Sequence, residues 1–451
     1  MKKILRQVAI ISFGVMFTIQ AYAGDGIKTI VKGSVQGSEI KSVLMSRRDG
    51  MRETKITDSI ESDGQFQLSM NLKQPGFYVL STNSTNLDAV EMYLRPGDQI
   101  SINMEKDQVV MSGKGSGLNQ FLYKIQKSMP YQGSVASFTQ TYNDRVKAIH
   151  NSSDEEVIRN KAILLGNEQG KYLDKVFGPV IEYKAHGGTP DMMEVNFADL
   201  NIRLVPEITI HPNWNQTVTE LMFAKMRAGQ LKVRSINTWI ADFGNAVDHP
   251  KLREEFILAL INYSASNGDL ALNKELKEAL PLIKDPKNIA RLNAMKGKLA
   301  MNLNNYKSAP TGTDMSAYAF HDLNGKQVSI SDYKGKIIYI DIWNTGCRPC
   351  IAEMPFLKKM EHEMHGKDIA FLSVSCDYNT EVWKNFLQKR NQTDEHQLIM
   401  GKKDPFFEKI GRSGIPRFVI LDKNGKMVNN NCCKRPSNPL LKVYLTELLN
   451  Q

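Results

Sequence analysis

Beyond its first two dozen residues, the 451-residue chain has no apolar run long enough to span a membrane. Its eight histidines include no H-E-x-x-H and no pair at ligand spacing, so a catalytic zinc centre has no support. Neither a repeat of fixed period nor a low-complexity tract interrupts it, which argues against an array of small units. One-sided charge is also missing. The 58 Lys and Arg are interspersed with 48 Asp and Glu, and the formal net charge of +10 therefore reads as solubility rather than nucleic-acid binding. With 41% hydrophobic residues there is enough material for real cores, and the length suggests two or three domains.

The first 23 residues have a different character. Lys2, Lys3 and Arg6 precede the short apolar stretch Val8 to Ile19, and Ala21-Tyr22-Ala23 follows. Basic region, short apolar core and A-x-A site are in the order of a secretory signal peptide. The expected mature chain begins near Gly24, outside the cytoplasm, most plausibly in a bacterial periplasm, with a charge of about +7. No cysteine follows the cleavage site, so a lipid anchor is not expected.

Cysteine is scarce, with five in all. In an oxidising compartment structural disulfides come in pairs and close long loops. Cys347 and Cys350 lie only two residues apart. A bond between them would close almost no loop and contribute little stability, which points instead to redox chemistry.

Residues 24–116 alternate apolar and polar side chains, with turn signals at Asp63-Gly64 and Pro96-Gly97-Asp98. This predicts a small all-β domain, a sandwich being the natural form. From 117 to 305 the apolar spacing becomes three and four residues, predicting an α-helical region with helix starts near Asp154 and Asp248. Its Met222, Phe223 and Met226 read as core. A polar segment rich in small residues, 302–314, serves as linker. In 306–451, strands alternate with helices: KIIYIDIW, CIAEMPFLKKMEHEM, DIAFLSVSCD, EVWKNFLQKR, the hairpin RFVILDKNGKMVN and a terminal helix LLKVYLTELL. That pattern predicts an α/β domain.

The two thiols fall where the strand over 336–343 gives way to a helix. A sulfur at a helix N-terminus meets unpaired N–H groups and the positive end of the dipole, so its thiolate is favoured. Pro349 suits the first turn, and Arg348 adds positive charge. Cys347 is the expected nucleophile and Cys350, one turn further in, the resolving thiol.

The run Trp343-x3-Cys347-Arg348-Pro349-Cys350-x2-Glu353-x-Pro355 resembles the active-site segment of thioredoxin-fold proteins, specifically the exported TlpA/ResA-like thiol-disulfide oxidoreductases. GRSGIPRFVILDKNGKMV resembles the segment in which a cis-proline faces the CxxC. The pieces DGQF, PGFY and LRPGDQI, in that order, resemble a β-rich domain of unknown function that precedes thioredoxin-like domains in exported Bacteroidetes proteins.

The resemblance implies a thioredoxin-like C-terminal domain exchanging a Cys347–Cys350 dithiol with disulfides of protein substrates, most often as a reductant fed by a membrane-embedded electron donor. No cofactor is implied. It places Pro416 at the cis bond and offers the Ile415 backbone to a substrate peptide. Trp343 would pack beneath the site and, with Arg348 and Ile415, shape the substrate contact. Asp341 matches the buried aspartate of thioredoxins, and Glu353 the glutamate of the TlpA/ResA group. Either acid could move a proton to or from Cys350; the bland alternatives are a strand-edge charge and a solvated helix residue.

Two departures stand out. Gly346 replaces a tryptophan frequent before the first cysteine, and Arg-Pro replaces Gly-Pro between the two. Cys376 reads as a buried inert thiol. Cys432 and Cys433 read as incidental solvent-facing or transiently oxidised thiols, with pairing to another thiol, a second relay or a zinc site shared with Cys347 and Cys350 as alternatives.

Other functions compete. An AhpC/TSA-type peroxidase needs a hydroxyl three residues before the reactive cysteine and a proline further upstream. Asn344 and Ile340 stand at those positions, which disfavours it. A non-catalytic binding or assembly protein with a thioredoxin-like docking module is the reading from a different class.

Overall fold

The computed structural model describes residues 26–451 except 38, 50, 51, 84–88, 107, 187–201, 267–271, 305–307, 395, 402, 403, 412, 413 and 433. The leader reading and Cys433 lie outside the described residues, as does part of the linker. The chain divides into two compact units, one made of residues up to 130 with 151–159, the other of 131–150 with 160–451.

Among the described residues of the first unit eight strands follow one another: β1 (Ile27–Val35), β2 (Ser42–Asp49), β3 (Arg52–Ser59), β4 (Gln65–Leu72), β5 (Gly76–Thr82), β6 (Val90–Leu94), β7 (Gln99–Met104) and β8 (Val109–Lys114). They form two four-stranded sheets, ordered β4-β1-β7-β8 and β3-β2-β5-β6. Strict alternation is clearest in β4, where Phe66, Leu68, Met70 and Leu72 are buried and the residues between them are exposed. Val31, Phe66, Leu68 and Ile100 of one sheet share a single core with Val43, Met45, Leu80 and Val90 of the other. This is a sandwich. Helix α1 (Ser116–Ser128) continues from β8 within this unit.

The helices that follow are α2 (Val135–His150), α3 (Glu155–Arg159), α4 (Lys161–His186), α5 (Trp214–Arg227), α6 (Trp239–Asn245), α7 (Pro250–Ser266), α8 (Leu272–Ala279) and α9 (Pro286–Asn304). Asp154 caps α3, its Oδ1 accepting from the Glu156 and Val157 amides at 2.8 and 3.2 Å. The apolar periodicity runs through α3 into α4, yet the two belong to different units. Two glycines inside α4 allow close packing: a Cβ at Gly166 would strike the Glu207 backbone, and one at Gly170 the His211 ring. Met222, Phe223, Trp239, Phe256 and Leu260 build the helical core.

The remaining elements are β9 (Ala319–His321), β10 (Gln327–Ser329), β11 (Ile337–Trp343), α10 (Arg348–Glu363), β12 (Ile369–Ser375), α11 (Thr380–Lys389), β13 (Gln397–Ile399), α12 (Pro405–Lys409), β14 (Arg417–Leu421), β15 (Met427–Asn429) and α13 (Leu440–Leu449). Their seven strands form one sheet in the order β10-β9-β13-β12-β11-β14-β15, with β11 parallel to β12 and antiparallel to β14. All seven residues of β11 are buried, as expected for an interior strand covered on both faces. Ile338, Ile340 and Ile342 enter one core; Ile337, Tyr339 and Trp343 point to the other, where α10 packs. Period-two alternation therefore puts Asp341 on the α10 side.

Candidate active site

β11 ends at Trp343, and α10 starts at Arg348 with Cys347 as its N-cap. Cys347 and Cys350 are joined by a disulfide, their Cα atoms 5.3 Å apart. The Cys347 sulfur accepts from the Cys350 amide at 3.2 Å, so it occupies the position where a thiolate would meet the free N–H groups of the first turn. Cys347 is partly exposed while Cys350 is fully buried against Trp343, Met354, Trp383 and Leu387. One sulfur is reachable and the other is screened.

The loop carrying Cys347 is held from the end of β12. Asp377 accepts from the Thr345 amide at 3.0 Å, from its hydroxyl at 2.8 Å and from the Ser375 hydroxyl at 2.8 Å. The Asn344 side chain accepts from the Gly346 amide at 3.0 Å.

Both acids are buried. Asp341 and Glu353 are each 1% exposed, so neither a strand-edge charge nor a solvated helix residue describes them. Neither oxygen of Asp341 has a hydrogen-bond partner among the described residues. Burial holds its carboxyl well above the usual carboxylate range, and the neighbouring Glu353 charge adds to this. Glu353 is also raised by burial, but the Ser437 donors, Arg435 and Lys184 oppose the shift. Ser437 donates its amide to Oε2 at 2.8 Å and its hydroxyl to Oε1 at 2.9 Å.

The Ile415–Pro416 peptide is cis, and Ile415 packs against the cluster that contains Cys350 and Cys347. Cys347, Cys350, Asp341, Glu353, Ile415 and Pro416 are thus gathered at one end of β11 and α10. Arg348 is exposed on the first residue of α10. The substrate contact expected of Trp343 requires correction: its side chain is 0% exposed and packs on Cys350 and Phe386, so it supports the site from within.

Cys432 also departs from expectation. It is 2% exposed and lies in the core with Tyr339, Phe418 and Leu445 instead of facing solvent. Cys376 is half-buried just past β12, its thiol pushed up by burial and by Asp377. Among the described residues no group of three or more His, Cys, Asp or Glu is placed to hold a metal ion.

Several residues that position the site were missed in the sequence. Tyr183 of α4 donates its hydroxyl to the Ala352 carbonyl at 3.1 Å. Buried Arg417, next to Pro416, donates to the Asn430 carbonyl at 2.9 Å and to the carbonyls of Ile410 and Gly411. Only its place beside the Gly-Ile-Pro run could have drawn notice. Ser437, Asp377 and Tyr183 carry no local signal.

Residues 305–439 match the Redoxin family, and residues 29–122 match a domain of unknown function, DUF4369. A curated relative, the thiol-disulfide oxidoreductase ResA of Bacillus thuringiensis subsp. konkukian, is 25% identical over 117 residues, which cover 26% of this chain. The chain spans 66% of that relative's length. Among solved structures, a Bacteroides vulgatus protein assigned to the thiol-disulfide oxidoreductases is 44% identical over 31% of this chain and 91% of its own, with a TM-score of 0.28. A thiol:disulfide interchange protein from Bacteroides sp. is 29% identical over 32% of this chain and 93% of its own, with a TM-score of 0.28. Through residues 305–439 the chain is TlpA/ResA-like, a thioredoxin-family stretch similar to thiol-disulfide oxidoreductases.

Proposed function

We propose that the chain is an exported, periplasmic thiol-disulfide oxidoreductase that exchanges the Cys347–Cys350 couple with disulfides of protein substrates, acting as a reductant. The observation that carries this reading is the asymmetry of the two sulfurs, with Cys347 partly exposed at the head of α10 and Cys350 buried behind it.

In the reduced form the Cys347 thiolate attacks a substrate disulfide, forming a mixed disulfide and releasing the first substrate sulfur as a thiolate that takes a proton from water. Cys350 then gives up its proton to a buried carboxylate and attacks the Cys347 sulfur. The 347–350 bond forms, the mixed disulfide breaks, and the second substrate sulfur leaves. Two electrons pass to the substrate, and a dithiol donor at the membrane restores the enzyme. Pro416 and the Ile415 backbone would align the substrate strand, as the resemblance to TlpA/ResA-like oxidoreductases implies.

The test is turnover of a disulfide-bonded peptide with dithiothreitol supplying electrons. Cys347→Ser should abolish it, and Cys350→Ser should accumulate the mixed disulfide. Full partner function in the Cys347→Ser chain would instead mark a docking protein.

A further inference from the structure

Glu353 faces the loop after β15, and that loop gives it two donors on two different oxygens, both from Ser437. Both contacts favour the ionised form: a protonated Glu353 would keep the amide donor but would have to turn the Ser437 hydroxyl into the acceptor of its own O–H. Asp341, the other buried acid, has no donor among the described residues. Two interacting acids in a dry interior do not both ionise, and the Ser437 donors favour the charge on Glu353 and the proton on Asp341.

The loop is itself fixed. Lys434 pairs with Glu275 of α8 at 2.6 Å, both buried, and the Cys432 amide donates to the Phe418 carbonyl at 2.8 Å. The other charged or titratable groups facing Glu353 are Asp341 and Tyr339 on β11, Tyr183 and Lys184 on α4, and Arg435 in the same loop.

We infer that Ser437 is a positioning residue for the exchange reaction: its two donors keep Glu353 the ionised member of the Asp341–Glu353 pair and so make Glu353 the acceptor of the Cys350 proton. The inference rests on the oxidoreductase reading. When Cys350 attacks, its S–H bond breaks and the proton passes to a Glu353 oxygen, because Asp341 already holds one. The sulfur's electron pair forms the bond to Cys347, and the substrate sulfur leaves with the pair of the broken mixed disulfide.

The experiment follows the Glu353 carboxyl by 13C NMR in the full chain labelled at the glutamate δ-carbon, its resonance identified by its loss in Glu353→Gln. Ser437→Ala and Ser437→Gly both remove the hydroxyl and keep the amide. Each should move the Glu353 titration upward by about one pH unit. The pH profile of the disulfide-reforming step should shift in the same direction. Ser437→Thr should leave both in place. A parent chain that exchanges disulfides, with a Glu353 titration unmoved in the Ala and Gly variants, overturns the inference alone. Absence of exchange in the parent removes the oxidoreductase reading, and the positioning role with it.

Discussion

The hydroxyl of Tyr183 donates to the carbonyl of Ala352 across 169 positions of sequence, tying α4 to the helix that carries the reactive pair. Tyr183 also packs edge-on against Phe356, the ring centroids 6.1 Å apart. Tyr183→Phe keeps the ring contact and removes the donor. It should cost about 1 kcal/mol and increase amide exchange in the first turns of α10. Unchanged stability together with unchanged exchange would show that the bond does not restrain α10.

Asp341 makes stability depend on pH in a defined direction. Its carboxyl is raised in the folded state, whereas an unfolded aspartate titrates near 3.9. Between these values the folded chain keeps a proton that the unfolded chain has released, so stability falls as pH rises through the window. Asp341→Asn abolishes that dependence. Relative to the parent it should gain from about pH 4 upward, by at most about 1.4 kcal/mol per pH unit, and then level off. Parallel denaturant midpoints for the two chains from pH 4 to 8 would contradict this.

Arg417 is a buried guanidinium whose donors go to backbone carbonyls of Asn430, Ile410 and Gly411. Arg417→Met fills much of the volume and leaves those carbonyls without their donor. A loss of about 3 kcal/mol or more is expected in denaturant unfolding. A loss below 1 kcal/mol would mean that water takes over the role.

Lys434 and Glu275 form a pair 2.6 Å apart, with side chains 3% and 0% exposed. Removing one partner strands a charge. Lys434→Met should destabilise by about 3–5 kcal/mol, and adding Glu275→Leu should recover most of it. A double variant no better than the single one would refute the ion-pair account.

Much of this architecture could be read from residue order. The alternation in QFQLSMNL and the run KIIYIDIW identify β4 and β11, because a half-buried and a fully buried strand leave different periodicities. Cys347 at a helix head followed from strand, turn and Pro349. The short strands β9, β10 and β13 went unread, being three residues each and too brief to show a period. The break between α3 and α4 was hidden because both helices keep the same apolar spacing across Asn160. Trp343 was read correctly as packing beneath the site but not as shut off from substrate, and Cys432 was misplaced, because exposure depends on what packs from distant sequence. Ser437 escaped for the same reason, since its partner lies 84 positions away.

The last helix has a further consequence. Leu440 of α13 is buried in the helical core, Tyr444 touches both that core and the one beneath β11, and Glu447 accepts from the Ile236 amide at 2.7 Å. A boundary near residue 305 is where the Redoxin match begins; it is not where the packing ends. Calorimetry should find the helices from α4 to α9 melting together with the seven-stranded sheet in one transition, so that reduction of a single S–S bond is felt as a change in one shared thermal ledger.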